Sequence, residues 1–388
     1  MIDMEILQKL NAPTKQERLS NLADILPDTQ FPPAVPQYIN NHIHTTYSFS
    51  PYSPTAAVYA ARMEGLCTAG IIDHDSISGA EEFLEASKLI GIPVTIGMEC
   101  RVSMDGTRLE GLRTNNPDQV GVSYMTIQAV PHDQIDRLTE FFRPYREARH
   151  LRNRKMVEKI NDLLPELELS YDRDVLPLSQ AEEEGGVTER HLMYALAKKL
   201  TASVQKGQPM VEKLTQLGIS LSAKQEAQLL DTQYPFYEYD LLGILKSAFV
   251  PKIYIDATDE CPKLPEMVKL CKEVNAYLCY AYLGDVGDSV TGDKKAQKFE
   301  DDYLDEVFVC LKEEGVGAVT YMPTRNTPAQ LERLRDLCDQ YGMFQISGED
   351  INSPRQSFII RAMENPMFQN LIDATWKLIE HEATSKRC

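Results

Sequence analysis

Short apolar runs alternate with longer amphipathic segments in two separate stretches of the chain. An apolar run bounded by turn residues is typical of a buried strand, and apolar positions three and four residues apart are typical of a helix. The strand-like runs are 38–43, 68–72, 93–98 and 122–130 in the first stretch and 252–257, 276–282, 316–322 and 343–347 in the second. This alternation predicts an α/β fold built on a parallel sheet or a barrel.

Helix-capping patterns indicate where helices begin between these strands. Ser53 followed by Pro54, and Ser78 followed three residues later by Glu81, predict two helices in the first stretch. Thr188 is a good N-cap residue for a later helix. Amphipathic segments predict three further helices, at 263–274, 297–314 and 328–341.

The same patterns divide the chain into four regions. Residues 1–37 predict a helical arm followed by a proline-rich linker, and residues 38–133 form the first part of the α/β body. Residues 134–250 are polar and mostly helical, which predicts an inserted helical subdomain. Residues 251–388 complete the α/β body and add a C-terminal helix.

Composition excludes several classes of protein. The chain has 388 residues with 40 basic and 58 acidic side chains, and its net charge of −18 argues against a broad surface for nucleic acid or anionic membranes. No apolar run approaches the roughly 18 residues that a membrane span needs, and the acidic first segment does not resemble a secretory signal. The eight cysteines are scattered without a CxxC pair, which favours reduced thiols and a cytoplasmic protein. The sequence does not indicate an oligomeric state.

Two histidines end the first predicted strand, in the order His42-Ile43-His44. Side chains two residues apart on an extended segment point to the same side, so both imidazoles can bind one metal ion. A pair of this kind is a weak signal by itself, and its weight depends on what the other strands carry.

Histidine and acidic side chains also follow the other predicted strands. Asp73 and His74 follow the second strand, Glu99 ends the third, and Asp350 follows the last. The carboxyl ends of parallel barrel strands meet at one face, where active sites are built. Four strands that deliver histidine or carboxylate to one rim predict a metal site there.

These residues give the chain a resemblance to the PHP family, named for its polymerase and histidinol phosphatase domains. The resemblance covers residues 38–352, and the matching motifs are His42-Ile43-His44-Thr45, Asp73-His74-Asp75, Glu99, Arg190-His191 and Asp350. It implies a distorted (β/α)7 PHP-type barrel, here with a helical insertion, that holds up to three metals at its carboxyl rim. It also implies phosphoester hydrolysis, as in many members, and a metal-ligand role for His191.

Four positions depart from the family pattern. Phe49 stands where the family has Asp, Gln128 and Tyr282 stand near positions of histidine, and Asn352 replaces the last histidine. None of these side chains replaces imidazole or carboxylate as a strong metal donor. We therefore expect one or two divalent ions (Zn, Mn or Fe) per chain, not three.

The remaining candidate ligands suggest how such ions would be shared. We expect His42, His44, Glu99 and Asp350 to form one complete site, with Glu99 bridging to His191 in a second. The third site would keep only His74 and is expected to be the weakest.

The resemblance predicts a metal-dependent phosphoesterase whose substrate is a small phosphorylated compound or a nucleotide. In this hypothesis Asp73 or His74 moves or orients a proton, and Arg355, just past Asp350, contacts the phosphate. There are two alternatives. One is a degenerate barrel that binds a ligand or partner without turnover, and the other is a metal-dependent hydrolase of C–N bonds.

Residues 143–159 hold seven basic and two acidic side chains, a local reversal in an acidic chain. Their spacing predicts charges that wrap around a helix, so we interpret the segment as a solvated helix that forms ion pairs with the acidic body. The alternative is a lip that guides a phosphorylated or nucleic-acid substrate to the rim. Aromatic residues suited to base stacking are sparse nearby, so nucleic acid is the weaker interpretation.

Overall fold

Seven strands form one sheet in the computed structural model of the protein, which describes residues 2–286 and 297–385. The strands are β1 (Val35–Ile43), β2 (Leu66–His74), β3 (Val94–Ser103), β4 (Val122–Gln128), β5 (Tyr277–Ala281), β6 (Ala318–Tyr321) and β7 (Phe344–Ser347). They lie side by side in chain order. Neighbouring strands are parallel except at β4, which runs antiparallel to both β3 and β5.

The sheet curls until the segment after β7 meets the end of β1. The backbone N–H of His44 donates to the carbonyl of Ile351 (2.9 Å), and the N–H of Ile351 donates to the carbonyl of His42 (3.1 Å). Ile43 and Ile351 form a parallel bridge at this seam. The result is a nearly closed seven-stranded barrel with one reversed strand, so the predicted distorted barrel is confirmed.

Helices surround the barrel and fill the long region between β4 and β5. Those outside that region are α1 (Met4–Leu10), α2 (Lys15–Ile25), α3 (Pro54–Met63), α4 (Ala80–Ile90), α11 (Leu304–Glu314), α12 (Pro328–Tyr341) and α13 (Gln369–Thr384). Those between β4 and β5 are α5 (Ile135–Leu163), α6 (Glu189–Ser203), α7 (Gln208–Gln216), α8 (Ala223–Leu230), α9 (Tyr237–Ile253) and α10 (Leu264–Glu273). No described helix is both long enough and apolar enough to cross a membrane.

The predicted strand at 252–257 is wrong. Helix α9 continues to Ile253, and the next residues are irregular. The side chain of Gln119 takes the place of a neighbouring strand, because it accepts from the N–H of Ala257 (2.7 Å) and donates to its carbonyl (2.9 Å). Periodicity could not separate a buried helix end with β-branched residues from a short strand.

The predicted caps at Ser53 and Ser78 have different outcomes. Ser53 accepts a hydrogen bond from the N–H of Ala56, and Pro54 is the first residue of α3. Helix α4, however, begins after Gly79 without a side-chain cap, so the predicted cap at Ser78 is wrong. The N–H of Ser78 donates instead to the hydroxyl of Ser76 (3.2 Å), which makes this segment a turn.

Two large apolar cores, together with two small clusters, organise the described residues. The larger core lies between the barrel strands and the helices around them, and it includes residues of α1 and α2. The second core is formed mainly by the helical region from α5 to α9. Phe49, in the loop after β1, packs into this second core. The helical region therefore has its own interior and is docked on the rim through the loop that follows the HxH pair.

Candidate metal centre

Strand ends bring histidine and carboxylate side chains together at the rim. His42 and His44 are at the end of β1 with ring centroids 5.0 Å apart, and His74 ends β2 directly opposite Glu99 of β3. Asp350 follows β7. Among the described residues, two groups have all their candidate donor atoms within 4.8 Å of one another, namely His42, His44 and Asp350, and His44, His74 and Glu99.

One carboxylate oxygen, Oε2 of Glu99, is at the centre of this cluster. It lies 3.2 Å from Nδ1 of His74, 3.5 Å from Nε2 of His42 and 3.9 Å from Nε2 of His44. Nε2 of His44 also lies 3.1 Å from Oδ1 of Asp350. Ligand atoms about 2.1 Å from a tetrahedral metal ion are separated by about 3.4 Å. The donor separations in the cluster are therefore those of a coordination site.

Two imidazole nitrogens of the cluster are buried without a hydrogen bond. Nε2 of His42 and Nε2 of His44 are inaccessible to solvent, and neither has a partner in hydrogen-bonding geometry. A buried polar atom without a partner costs roughly 1–3 kcal/mol. A divalent cation would satisfy both nitrogens, so the residues present fit the metal that the family resemblance implies.

A buried chain of hydrogen bonds fixes the tautomer of His44. Ser48 donates its hydroxyl proton to Oδ1 of Asp73 (2.5 Å), and the Ser48 oxygen lies 3.2 Å from Nδ1 of His44. Because Ser48 has only one hydroxyl proton, its oxygen accepts from the Nδ1–H of His44. The lone pair of Nε2 then faces the cluster, as metal binding requires.

Asp73, predicted as a catalytic residue, is buried behind His44. Its carboxylate also accepts from the backbone N–H (2.7 Å) and the hydroxyl (2.5 Å) of Thr45, and burial raises its pKa. Among the described residues, Ser48 forms the hydrogen-bonded link between Asp73 and the cluster. This placement favours orienting His44 over proton transfer, the other role predicted for Asp73. Sequence reasoning missed Ser48, although its position four residues after His44 is visible in the sequence.

Charges in the cluster favour a cation. Burial lowers the pKa of His44, but the carboxylates of Asp350 and Glu99 outweigh burial and raise it above its ordinary value. Burial, helped by His44 and Arg149, lowers the pKa of His74 well below its ordinary value, so this imidazole is neutral and able to bind metal. The carboxylates that favour a proton on His44 favour a metal ion in the same place.

His74 has more partners than the sequence suggested. Its ring stacks on His44 with centroids 4.6 Å apart and an interplanar angle of 27°, and its Nδ1 makes the shortest of the contacts to Glu99. The expected isolation of His74 in a weak third site is therefore wrong. The register that places His74 opposite Glu99 brings it into the group formed with His44.

His191 belongs to neither group. It is buried in the first turn of α6, and its Nδ1 accepts a hydrogen bond from the backbone N–H of Thr188 (3.0 Å). Burial, together with the charge of Arg149, lowers the pKa of His191 to about 3, so the ring is neutral and its proton is on Nε2. The ring also packs edge-on against Phe49, with centroids 5.0 Å apart. In this geometry His191 caps a helix and supports the docking of the helical region.

The other departures from the family pattern have their own partners. Tyr282 donates its hydroxyl proton to Asp301 (2.7 Å), and Asn352 donates to the Asp350 oxygen that faces His44 (2.6 Å). Gln128 is buried, and its amide nitrogen is 3.4 Å from the hydroxyl of Thr126. Asn352 therefore helps to orient a candidate ligand, whereas Tyr282 is committed to Asp301.

The arginines near the rim differ in their surroundings. Arg355 forms a two-point ion pair with Asp240 of α9 (2.7 Å for each contact) and lies over the ring of Tyr234. It thus joins the barrel to the helical region. Burial raises the pKa of Asp350, but His44, His42 and Arg190 together lower it well below its ordinary value. The charge of Arg190 therefore acts on a residue of the cluster.

The arginines of α5 are arranged differently from the sequence interpretation. Arg146, Arg149 and Arg152 form one buried stripe and pair with acidic side chains, so the prediction that the charges wrap around a solvated helix is wrong. The prediction of ion pairs with the acidic body is confirmed. Spacings of three residues place these three arginines on one face of the helix. The sequence alone could not distinguish them from Arg143 and Arg154, which are only half-buried.

Comparisons with known proteins show the family and the fold of the chain. The family model described as PHP domain matches residues 40–317. A 5′–3′ exoribonuclease of Haemophilus influenzae is 35% identical over 65 residues, which are 17% of this chain and 24% of that protein, so the match spans about a quarter of that relative.

Two solved structures share the fold at low sequence identity. A protein of Bifidobacterium adolescentis, assigned as a metal-dependent phosphoesterase, is 19% identical with a TM-score of 0.51, covering 88% of this chain and 98% of that one. An amidohydrolase of Chromobacterium violaceum, solved with bound sulfate and no metal, is 14% identical with a TM-score of 0.52, covering 87% of this chain and 96% of that one. Because the family model spans most of the chain, this protein belongs to the PHP family.

Proposed function

We propose that this protein is a metal-dependent phosphoesterase that hydrolyses a small phosphorylated compound or a nucleotide. One observation carries the proposal: Oε2 of Glu99 lies within 3.9 Å of three imidazole nitrogens, and two of these are buried without a hydrogen bond. Such a cluster is costly to bury unless a cation completes it.

The side chains of the cluster have distinct tasks in this proposal. His42, His44, His74, Glu99 and Asp350 would hold one or two divalent ions. A bound ion supplies an activated water, whose pKa falls towards ~7, and a positive charge for the phosphoryl oxygens. Ser48 and Asp73 keep the lone pair of His44 directed at the cluster. Asn352 orients Asp350 in the same way.

Phosphate recognition requires a positive side chain near the cluster. We choose Arg190 instead of Arg355 for this contact, since the charge of Arg190 acts on Asp350 and Arg190 is in the first turn of α6. Arg355 is held by Asp240 and serves the interface between barrel and helical region. We therefore assign the phosphate contact to Arg190, and Arg355 to the support of the rim.

The helical region limits the room at the rim. The backbone of Gly186 approaches His74 so closely that an added Cβ would lie 2.1 Å from the His74 carbonyl oxygen, and its N–H donates to the carbonyl of Tyr47 (2.7 Å). Because the helical region packs so closely against the rim, we favour a small substrate or the end of a single nucleic-acid strand. The exoribonuclease of Haemophilus influenzae acts, by its name, on a nucleic-acid phosphodiester, so nucleotides belong in the substrate panel.

A second function is favoured by a specific observation. Phe49 stands where the family has Asp, so one acidic ligand is absent. The Phe49 ring packs against His191 and makes the surroundings of that histidine apolar. A barrel altered in this way would bind a ligand or partner without turnover. A C–N hydrolase is a third candidate, because the Chromobacterium violaceum protein of similar fold is named an amidohydrolase.

The decisive experiment is elemental analysis of the full chain, purified without added metal or chelator. The result expected is roughly one or two ions per chain, with a matching release of phosphate from a panel of nucleoside phosphates and short oligonucleotides. His74→Gln should lose metal and activity, while His150→Gln, whose ring contacts Tyr171 outside the cluster, should keep both. A metal content near zero that Mn or Zn does not restore would favour the binding module, and hydrolysis of amides alone would favour the third candidate.

A further inference from the structure

The residue that follows His74 has an unusual backbone conformation. Asp75 has a φ of +56°, in the left-handed region that residues other than glycine seldom adopt. Its N–H donates to the carbonyl of Glu99 (2.7 Å), so this one residue connects the two central ligands of the cluster. A non-glycine residue in this conformation costs about 1–3 kcal/mol and persists only when its surroundings hold it there.

Two arginines of α5 hold Asp75 in place. Arg149 donates through Nη1 to the Asp75 carboxylate, and Arg146 donates to the Asp75 carbonyl (3.2 Å). Both arginines are about 5% exposed, and Asp75 is 6% exposed, so the contacts are dry. The conformation of the chain beside His74 is thus set by side chains of the helical region.

Arg149 is itself fixed by a balanced group of buried charges. Its Nη2 donates to Glu189 (2.8 Å), which also pairs with Arg152. Arg101, two residues after Glu99 on β3, pairs with Glu260, and Glu260 pairs with Arg152 (2.7 Å). The largely buried part of this group has three arginines and three carboxylates, namely Arg101, Arg149 and Arg152 with Asp75, Glu189 and Glu260. Arg146 pairs with the partly exposed Glu184, which also pairs with Arg143. Such a matched set keeps each guanidinium in a single place, because moving one leaves a charge buried without its partner.

We propose that Arg149, acting through Asp75, is a positioning residue that holds His74 and Glu99 in register for metal binding. The proposal rests on the proposed metal centre and adds that the centre depends on a side chain from outside the barrel. Groups behind metal ligands orient them, and their loss commonly weakens metal binding by roughly 10- to 100-fold. The helical region would then help to position the metal ligands, in addition to packing against the rim.

Two conservative substitutions test this role, one at Arg149 and one at Asp75. Arg149→Lys keeps the positive charge but cannot reach Asp75 and Glu189 with one planar fork. Asp75→Asn keeps a side chain that tolerates the left-handed conformation but loses the charge. The matched control is Arg18→Lys, since Arg18 of the N-terminal arm and Glu82 of α4 form a two-point pair of similar burial (2.8 and 2.5 Å).

Three measurements on the full chain separate positioning from stability. Chelator competition gives the dissociation constant for Mn²⁺ and Zn²⁺, urea unfolding gives stability, and hydrogen exchange of a peptide spanning 72–76 follows the Asp75 amide. We expect both site variants to bind metal roughly 10- to 100-fold more weakly than wild type, and Arg149→Lys to exchange the Asp75 amide faster. Arg18→Lys should lower stability and leave the other two readings within about twofold, because distant sites act independently.

The outcomes distinguish this inference from the proposed function. Site variants that bind metal as tightly as wild type, while losing stability like Arg18→Lys, would overturn the positioning role. A wild-type chain that binds neither ion would overturn the metal centre itself. In that case the exchange of the Asp75 amide in Arg149→Lys still tests Arg149. Unchanged exchange would overturn the role of Arg149, and faster exchange would show that Arg149 fixes the backbone at Asp75.

Discussion

Nδ1 of His44 lies 3.2 Å from the hydroxyl oxygen of Ser48, which in turn donates to Asp73. The three side chains are buried, so water cannot substitute for any of the hydrogen bonds. The relationship fixes the ring tautomer of a candidate ligand before any metal arrives.

Ser48→Ala tests this relationship. Without the hydroxyl, His44 loses the acceptor that keeps its proton on Nδ1, and we expect metal affinity to fall roughly 10-fold. Chelator competition measures the change. Ser53→Ala is the control, because it removes the N-cap of α3 and should cost about 1 kcal/mol of stability without changing metal affinity. Equal metal affinity in Ser48→Ala and wild type would contradict the orienting role.

Glu99→Gln removes the one carboxylate that faces three imidazoles. The amide that replaces it is a poor donor to a divalent ion, so we expect metal content to fall below the detection limit and phosphate release to cease. Elemental analysis and a phosphate assay give the two readings. Glu313→Gln changes an exposed glutamate paired with Arg108 and should leave both unchanged. Full metal content in Glu99→Gln would remove Glu99 from the site.

Arg355 and Asp240 should behave as a pair. Arg355→Met leaves the Asp240 carboxylate, only 6% exposed, without its partner, and we expect the free energy of unfolding to fall by about 1–3 kcal/mol. A double-mutant cycle with Asp240→Asn, followed by urea unfolding and kinetics, tests the assignment. If Arg355 only supports the interface, Arg355→Met lowers activity no more than Asp240→Asn does. A much larger loss of activity for Arg355→Met alone would return it to phosphate binding.

A buried glutamate makes stability depend on pH. Glu300 accepts from the N–H groups of Leu283 and Gly284 through Oε1, and its Oε2 has no partner. Burial raises its pKa from 4.5 to about 7, against the effect of those hydrogen bonds. The folded chain then binds more protons than the unfolded chain in this interval, so the contribution of Glu300 to stability is present at low pH and is lost as the pH rises to about 7.

Glu300→Gln keeps an oxygen acceptor but cannot ionise. We expect its unfolding free energy to match wild type near pH 4.5 and to exceed it by roughly 3 kcal/mol at pH 8, by the linkage of pKa to stability. Urea unfolding at several pH values measures the difference, and Glu306→Gln, an exposed neighbour, should show no such trend. A constant difference across the pH range would show that Glu300 does not titrate in this interval.

The candidate ligands could be predicted from the sequence because each stands at a strand end. His42, His44, His74, Glu99 and Asp350 depend only on where strands stop and on the rule that such ends share a rim. The partition of these residues into groups depends on register, which is set by packing between strands. The sequence therefore indicated His74 but underestimated its contact with Glu99.

Other features were beyond the reach of local patterns. The reversal of β4 follows from how the chain returns to the sheet, and no periodicity encodes strand direction. The buried stripe of Arg146, Arg149 and Arg152 depends on four carboxylates from distant segments, among them Glu189 and Glu260. A run of arginines indicates charge, but only the tertiary structure shows which of them is removed from water.

The seam of the barrel also determines when the site can exist during synthesis. The backbone bonds between Ile351 and the HxH segment close the barrel at the point where Asp350 meets His44. A ribosome adding 5–20 residues per second needs roughly 10–50 s to travel from Glu99 to Asp350. During that time the three histidines are without their last carboxylate and without a closed rim. The metal centre is therefore completed only with the final strand, and a truncated chain should be unable to assemble it.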